Sequence, residues 1–206
     1  MIPTFSSILS TIKNIEDSFD IVKEKLLNNP SEASDKLAEV LGELSLILEF
    51  IERETVRYLE IIFLSDKSNL IPCRSALLSL ESGYATIKGY EARGHCHKIK
   101  NIYEKFLNHW FSKVLDAHEA EDLKRLFDRM NSADSGMIEA IREITTWLRD
   151  ESEAILLMID ADQLDLANQR IKDARLPVQI IRRNIVDGLA QMKLLQASFI
   201  ASSQSI

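Results

Sequence analysis

Bulky apolar residues recur at alternating intervals of three and four along most of this chain, beginning with Phe5, Ile8, Ile12, Ile15, Phe19, Val22 and Leu26. Residues so spaced share one face of a helix, and a row this long must bury itself against other helices. The row predicts a first helix over about residues 4–27, stopped by Asn28-Asn29-Pro30, because the residue before a proline is pushed out of the α region. Ser31 is placed to cap a second helix, with Glu32 and Asp35 in its first turn where the helix dipole favours negative charge. That helix follows Leu37, Leu41, Leu44, Leu48, Ile51, Thr55, Tyr58 and Ile62, broken only at Thr55. A second row of Val40, Ile47, Phe50 and Ile61 widens its apolar face, so several neighbours are expected around it.

A polar link, Asp66-Lys67-Ser68-Asn69, leads to Pro72 in the first turn of a third helical stretch. Its row runs through Leu77, Leu80, Tyr84 and Ile87, weakens between Gly89 and Gly94, and resumes at Cys96, Ile99, Tyr103, Phe106, Trp110 and Val114. A long helix with a bend near Gly94 is the expectation, since each glycine costs roughly 1 kcal/mol inside a helix. A shorter helix over Glu119 to Met130 carries Leu123, Leu126 and Phe127, and Asn131 to Gly136 interrupts the chain. Met137, Ile141, Ile144, Leu148, Ile155 and Met158 mark the next helix, ending near Asp160-Ala161-Asp162. The last begins at Leu164, Ala167, Ile171 and Ala174, is kinked by Pro177, and continues through Val178, Ile181, Ile185, Leu189, Met192 and Leu195.

The fold class expected is therefore all-α: an elongated antiparallel bundle of about five to six helices, with residues 1–206 as one domain and 201–206 as a frayed tail. Six glycines and four prolines leave too little turn punctuation for an all-β fold.

Charge refines this picture. Glu32 to Glu60 holds eight acidic and three basic residues, and Glu119 to Asp165 thirteen and five, whereas Arg93 to Lys113 and Arg170 to Lys193 are net basic. Acid-rich helices beside base-rich ones would lower self-repulsion and help fix the pairing. The overall charge of −7 argues against nucleic acid as a partner. Cys73 and Cys96 read as reduced thiols of a cytoplasmic protein, with a disulfide between them the alternative, and the first residues lack the pattern of a signal peptide. No apolar run approaches the ~20 residues needed to cross a bilayer.

Chemistry-bearing motifs are sparse. His95, Cys96 and His97 are three metal-ligand types in a row, but on a helix His95 and His97 point about 200° apart. They converge only if the segment is extended, in which case Cys73 or His109 could complete a site. Gly89 to Gly94 has phosphate-loop spacing without the Lys and Ser/Thr such a loop requires. None of His95, His97, His109 or His118 follows a Glu by three residues, which removes the usual di-iron pattern. Asp160-Ala161-Asp162 lacks the later ligands of a calcium loop and reads as a helix-ending turn.

With no coherent catalytic constellation and no cofactor motif, the expected role is a non-enzymatic bundle acting on a protein partner or as a homo-oligomer. Its contact patches are placed at Ile61, Ile62 and Phe63 and at Ile180, Ile181 and Ile185, and Trp110 and Trp147 fall near core rows. A bundle that opens onto lipid is the alternative, disfavoured by net acidity. Metal binding through His95, Cys96 and His97 is the second.

Overall fold

The structure, a computed structural model, describes residues 13–15, 17–19, 22–23, 32–65, 70–81, 84–130 and 136–203. Helix α1 (Glu32–Ser65) has 34 residues, so it is about 50 Å long at 1.5 Å per residue. All eight members of its first apolar row are buried, Thr55 included. The Thr55 hydroxyl donates to the Glu52 carbonyl at 2.6 Å, which lets a polar residue occupy a core position. The second row of Val40, Ile47, Phe50 and Ile61 is buried as well, so α1 is a central helix wrapped by neighbours. Of the first predicted helix, the described residues are helical, and Ile15, Phe19 and Val22 are buried, Phe19 edge-on to Phe199 at 6.0 Å. Phe5, Ile8, Ile12 and Leu26, the stop at Pro30 and the cap at Ser31 lie outside the described residues.

The chain continues through α2 (Ile71–Glu81), α3 (Tyr84–Ile102), a π-helical turn (Tyr103–Leu107), α4 (Asn108–Val114), α5 (Ala117–Met130), α6 (Met137–Asp160), α7 (Leu164–Asp173) and α8 (Arg175–Ser203). No strand occurs among the described residues, and the fold is an all-α bundle. The largest helix contact joins α1 to α8. Arg182 Nε lies 2.9 Å from Glu52 Oε1, and Gln196 Nε2 donates to the Ala38 carbonyl at 3.0 Å, so the two helices run antiparallel. Helix α3 is antiparallel to α1 too, with His95 on Glu43 and Phe106 beside Lys36. Acid-rich α1 thus sits between the two base-rich segments, with further pairs at Lys193–Glu49 (2.8 Å) and Lys98–Glu43 (3.4 Å). Helix α6 covers α2 and α3, and the buried apolar residues form one continuous core.

Local chemistry sets the helix ends. Asp116 Oδ1 accepts from the backbone N–H groups of His118 and Glu119, both at 2.9 Å, while Glu119 Oε2 accepts from the Asp116 N–H at 3.1 Å. This reciprocal capping starts α5 at Ala117, two residues before the start expected from the apolar pattern. At the end of α6, Asp162 takes the left-handed conformation (φ 59°), Gln163 N–H donates to Met158 O at 2.8 Å and Asp162 N–H to Ile159 O at 3.1 Å. The Asp160-Ala161-Asp162 segment is a helix-closing turn of the Schellman kind.

Two expectations need adjustment. Helix α3 runs unbroken through Gly94, and regular winding is interrupted instead by the π turn that begins nine residues later. A π turn spends one extra residue per turn, so the buried row after Tyr103 becomes Leu107, Phe111 and Leu115 in place of Phe106, Trp110 and Val114. Pro177 does interrupt the last helix. It has no N–H for the Asp173 carbonyl, and α7 ends at Asp173, with α8 resuming at Arg175. Helix α8 extends to Ser203, so residues 201–203 are helical; 204–206 lie outside the described residues.

Candidate functional site

Polar groups collect where α1, α6 and α7 meet. Glu54 and Tyr58 stand one turn apart on α1, and both are fully buried. A carboxylate removed from water requires compensation. Arg53 Nε lies 3.5 Å from Glu54 Oε1 and Arg57 Nη1 3.5 Å from Oε2, each arginine keeping contact with solvent. The Tyr58 ring packs 4.9 Å from the Trp147 ring of α6. Burial, and then the negative charge of Glu151, raise the Tyr58 pKa far above that of a free phenol, so its proton stays in place.

Above Tyr58, Arg170 of α7 grips Glu151 of α6 with both prongs, Nε to Oε1 at 2.8 Å and Nη2 to Oε2 at 2.7 Å. The Glu151 side chain is 10% exposed and that of Arg170 39%, so the pair closes the polar layer at the protein surface. The hydrogen bond to Glu151 is the main reason the Arg170 pKa rises further. Trp147 Nε1 and Ser152 Oγ are buried and make no hydrogen bond to described residues.

The Glu151–Arg170 pair separates two open grooves. One, of about 450 Å³, is lined by Glu139, Arg142, Glu143, Thr146, Trp147 and Asp150. Arg142 is occupied by Glu139 at 2.7 Å, which leaves this groove acidic. Burial, followed by the Glu139 charge, raises the Glu143 pKa there. The other, of about 410 Å³, has Met158, Leu166 and Ala174 as apolar walls with Gln169 and Asp173 between them. Near the α6–α7 turn Leu157, Leu164 and Leu166 have 64%, 45% and 58% of their surface exposed, and Leu176 and Ile180 of α8 are exposed as well.

The residues singled out from the sequence are distributed differently. Ile61, Ile62, Ile181 and Ile185 are core residues rather than a contact patch, because both apolar rows of α1 are covered and α8 turns Ile181 and Ile185 inward. Ile180 is exposed, and the Phe63 side chain lies outside the described residues. His95, Cys96 and His97 do not converge. They lie on continuous α3, where His95 pairs with Glu43, Cys96 is buried and His97 points to solvent. Among the described residues no group of three or more His, Cys, Asp or Glu is placed to hold a metal ion. Cys73 and Cys96 are free, and burial pushes Cys96 up to about 12. Trp147 is buried and Trp110 half-buried.

Apolar periodicity alone overlooked this site, although it contained a signal. Glu54 follows Ile51 by three and precedes Tyr58 by four, and Glu151 stands likewise between Leu148 and Ile155. A carboxylate at a core position of a seam demands a compensating charge, given to Glu54 by Arg53 and Arg57 of its own helix and to Glu151 by Arg170 of α7. No family model, curated protein or solved structure matches the chain.

Proposed function

We propose that the protein is a non-enzymatic interaction module whose α6–α7 face receives a basic amphipathic helix from a partner protein. One observation carries the reading: Leu166, 58% exposed, borders the groove lined by Met158 and Asp173, next to the acidic groove of Glu139, Glu143 and Asp150, and Leu157 and Leu164 are exposed on the same two helices. An apolar stripe covers such leucines, while lysines or arginines beside the stripe meet the carboxylates. The bidentate Glu151–Arg170 clamp keeps the two helices at a fixed spacing, so the face is formed before the partner arrives. A lipid surface suits this face poorly, since its carboxylates repel anionic headgroups, and no described helix is long and apolar enough to cross a membrane.

Fluorescence anisotropy with a labelled Leu/Lys amphipathic peptide, compared with its Leu/Glu counterpart, tests the assignment. The basic peptide binds in preference, and L157D/L166D weakens it by about tenfold or more without loss of helical circular dichroism. Equal binding of the acidic peptide, or indifference to the two aspartates, overturns it. If light scattering reveals a dimer dissolved by the same substitutions, the occupant is a second copy instead.

A further inference from the structure

At the other end of α1 the surface has the opposite sign. A pocket of about 250 Å³ lies between the start of α1, the π turn and α4, lined among the described residues by Lys36, Lys105, Phe106, His109, Trp110 and Lys113 over a floor of Ala33 and Leu107. No carboxylate is among these lining residues, in a chain whose formal charge is −7. Lys105 and Lys113 form no ion pair with a described residue; Lys36 pairs with Glu39 at 2.9 Å and holds its ammonium 4.9 Å from the centre of the Phe106 ring. The register shift of the π turn takes Phe106 and Trp110 off the buried row and delivers both to this pocket, Phe106 with 45% of its surface exposed. Such turns are rare and occur frequently at functional sites.

We propose that this pocket binds a nucleoside phosphate, the base stacked on the exposed Phe106 ring and the phosphate held by Lys105, Lys113 and Lys36. A planar ring matches the aromatic faces, and an anion matches the unpaired ammonium groups. The acidity of the rest of the molecule favours a small anion over a nucleic-acid strand, whose further phosphates would meet repulsion.

Isothermal titration calorimetry of the full chain with AMP, adenosine and ribose 5-phosphate tests the proposal. AMP binds saturably and weakens with added salt, and either half alone binds about tenfold more weakly or worse. Phe106→Ala, and K105E/K113E together, each weaken AMP by about tenfold or more with helical circular dichroism intact. No saturable AMP binding, ribose 5-phosphate as tight as AMP, or an unchanged Phe106→Ala variant overturns the proposal. So does a single-stranded oligonucleotide that binds more tightly than AMP and loses its affinity in the same variants, since the site then belongs to a strand.

Discussion

Gly89 of α3 lies so close to Thr145 of α6 that a methyl group on its Cα would stand 2.9 Å from Thr145 Cγ2. The Thr145 hydroxyl donates to the Ile141 carbonyl at 2.9 Å, so the side chain does not turn away freely. Gly94, one and a half turns later, has nothing within 4 Å of the same position. Gly89→Ala is expected to destabilise by about 1–2 kcal/mol through overpacking, and Thr145→Ser added to it to recover most of the loss. Gly94→Ala is expected to stabilise by about 0.5–1 kcal/mol, because it relieves chain entropy in open space. Urea unfolding of the four proteins measures both signs.

The Glu151–Arg170 clamp predicts a pronounced non-additivity. Arg170→Ala leaves a carboxylate at 10% exposure without its partner and costs about 1–3 kcal/mol, below the value for a fully buried pair because Arg170 itself reaches water. The double substitution E151M/R170M is less destabilised than the Arg170→Ala single, since no charge is then stranded. A double-mutant comparison in which both are equally destabilised would show that packing, and not charge, holds α7 in place.

Stability is expected to fall in alkali. Burial holds the folded Cys96 thiol up to about 12, from 9.0 in the free side chain, so above about pH 9 the unfolded chain gives up a proton that the folded one keeps. The sign is therefore loss of stability as pH rises, at most about 1.4 kcal/mol per pH unit from this group. Tyr103, raised from 10.0 to about 12 by burial and then by Asp128 and Glu121, adds to the fall at higher pH. Urea midpoints measured between about pH 8 and pH 11 show the decline, and Cys96→Ala makes its first part shallower.

Tyr103 stacks on Phe127 with ring centres 4.4 Å apart, and Phe111 packs 6.4 Å from both. This trio joins the π turn, α4 and α5. Phe127→Ala is expected to cost about 3–5 kcal/mol. Tyr103→Phe keeps the stack and loses only a 3.2 Å hydrogen bond to Asn108 Oδ1, so its expected cost is below about 1.5 kcal/mol. Thermal melting ranks the two.

Rows that keep one period were legible in the sequence. Leu37 to Ile62 in α1 and Met137 to Ile155 in α6 are buried at every position named from the pattern. The charge blocks also indicated which helices meet, as Glu52 with Arg182 and Glu43 with Lys98 illustrate. What escaped was local backbone chemistry. A π turn has no marker in apolar spacing, and here Phe106-Leu107 and Trp110-Phe111 offer an apolar residue in either register, so the straight row looked intact. The polar site escaped for another reason. Glu151 and Arg170 are nineteen residues apart on different helices, and only tertiary packing brings them together.

The extra residue held in the turn from Tyr103 to Leu107 is also a switch of facing. Rewinding the turn as ordinary α-helix at the same chain length would rotate everything downstream by about 100°, bringing Trp110 to the direction in which Phe111 now looks, whereas excision of one residue would leave Phe111 facing the core. Winding at this one spot therefore decides which aromatic groups the molecule keeps inside and which it presents to its surroundings.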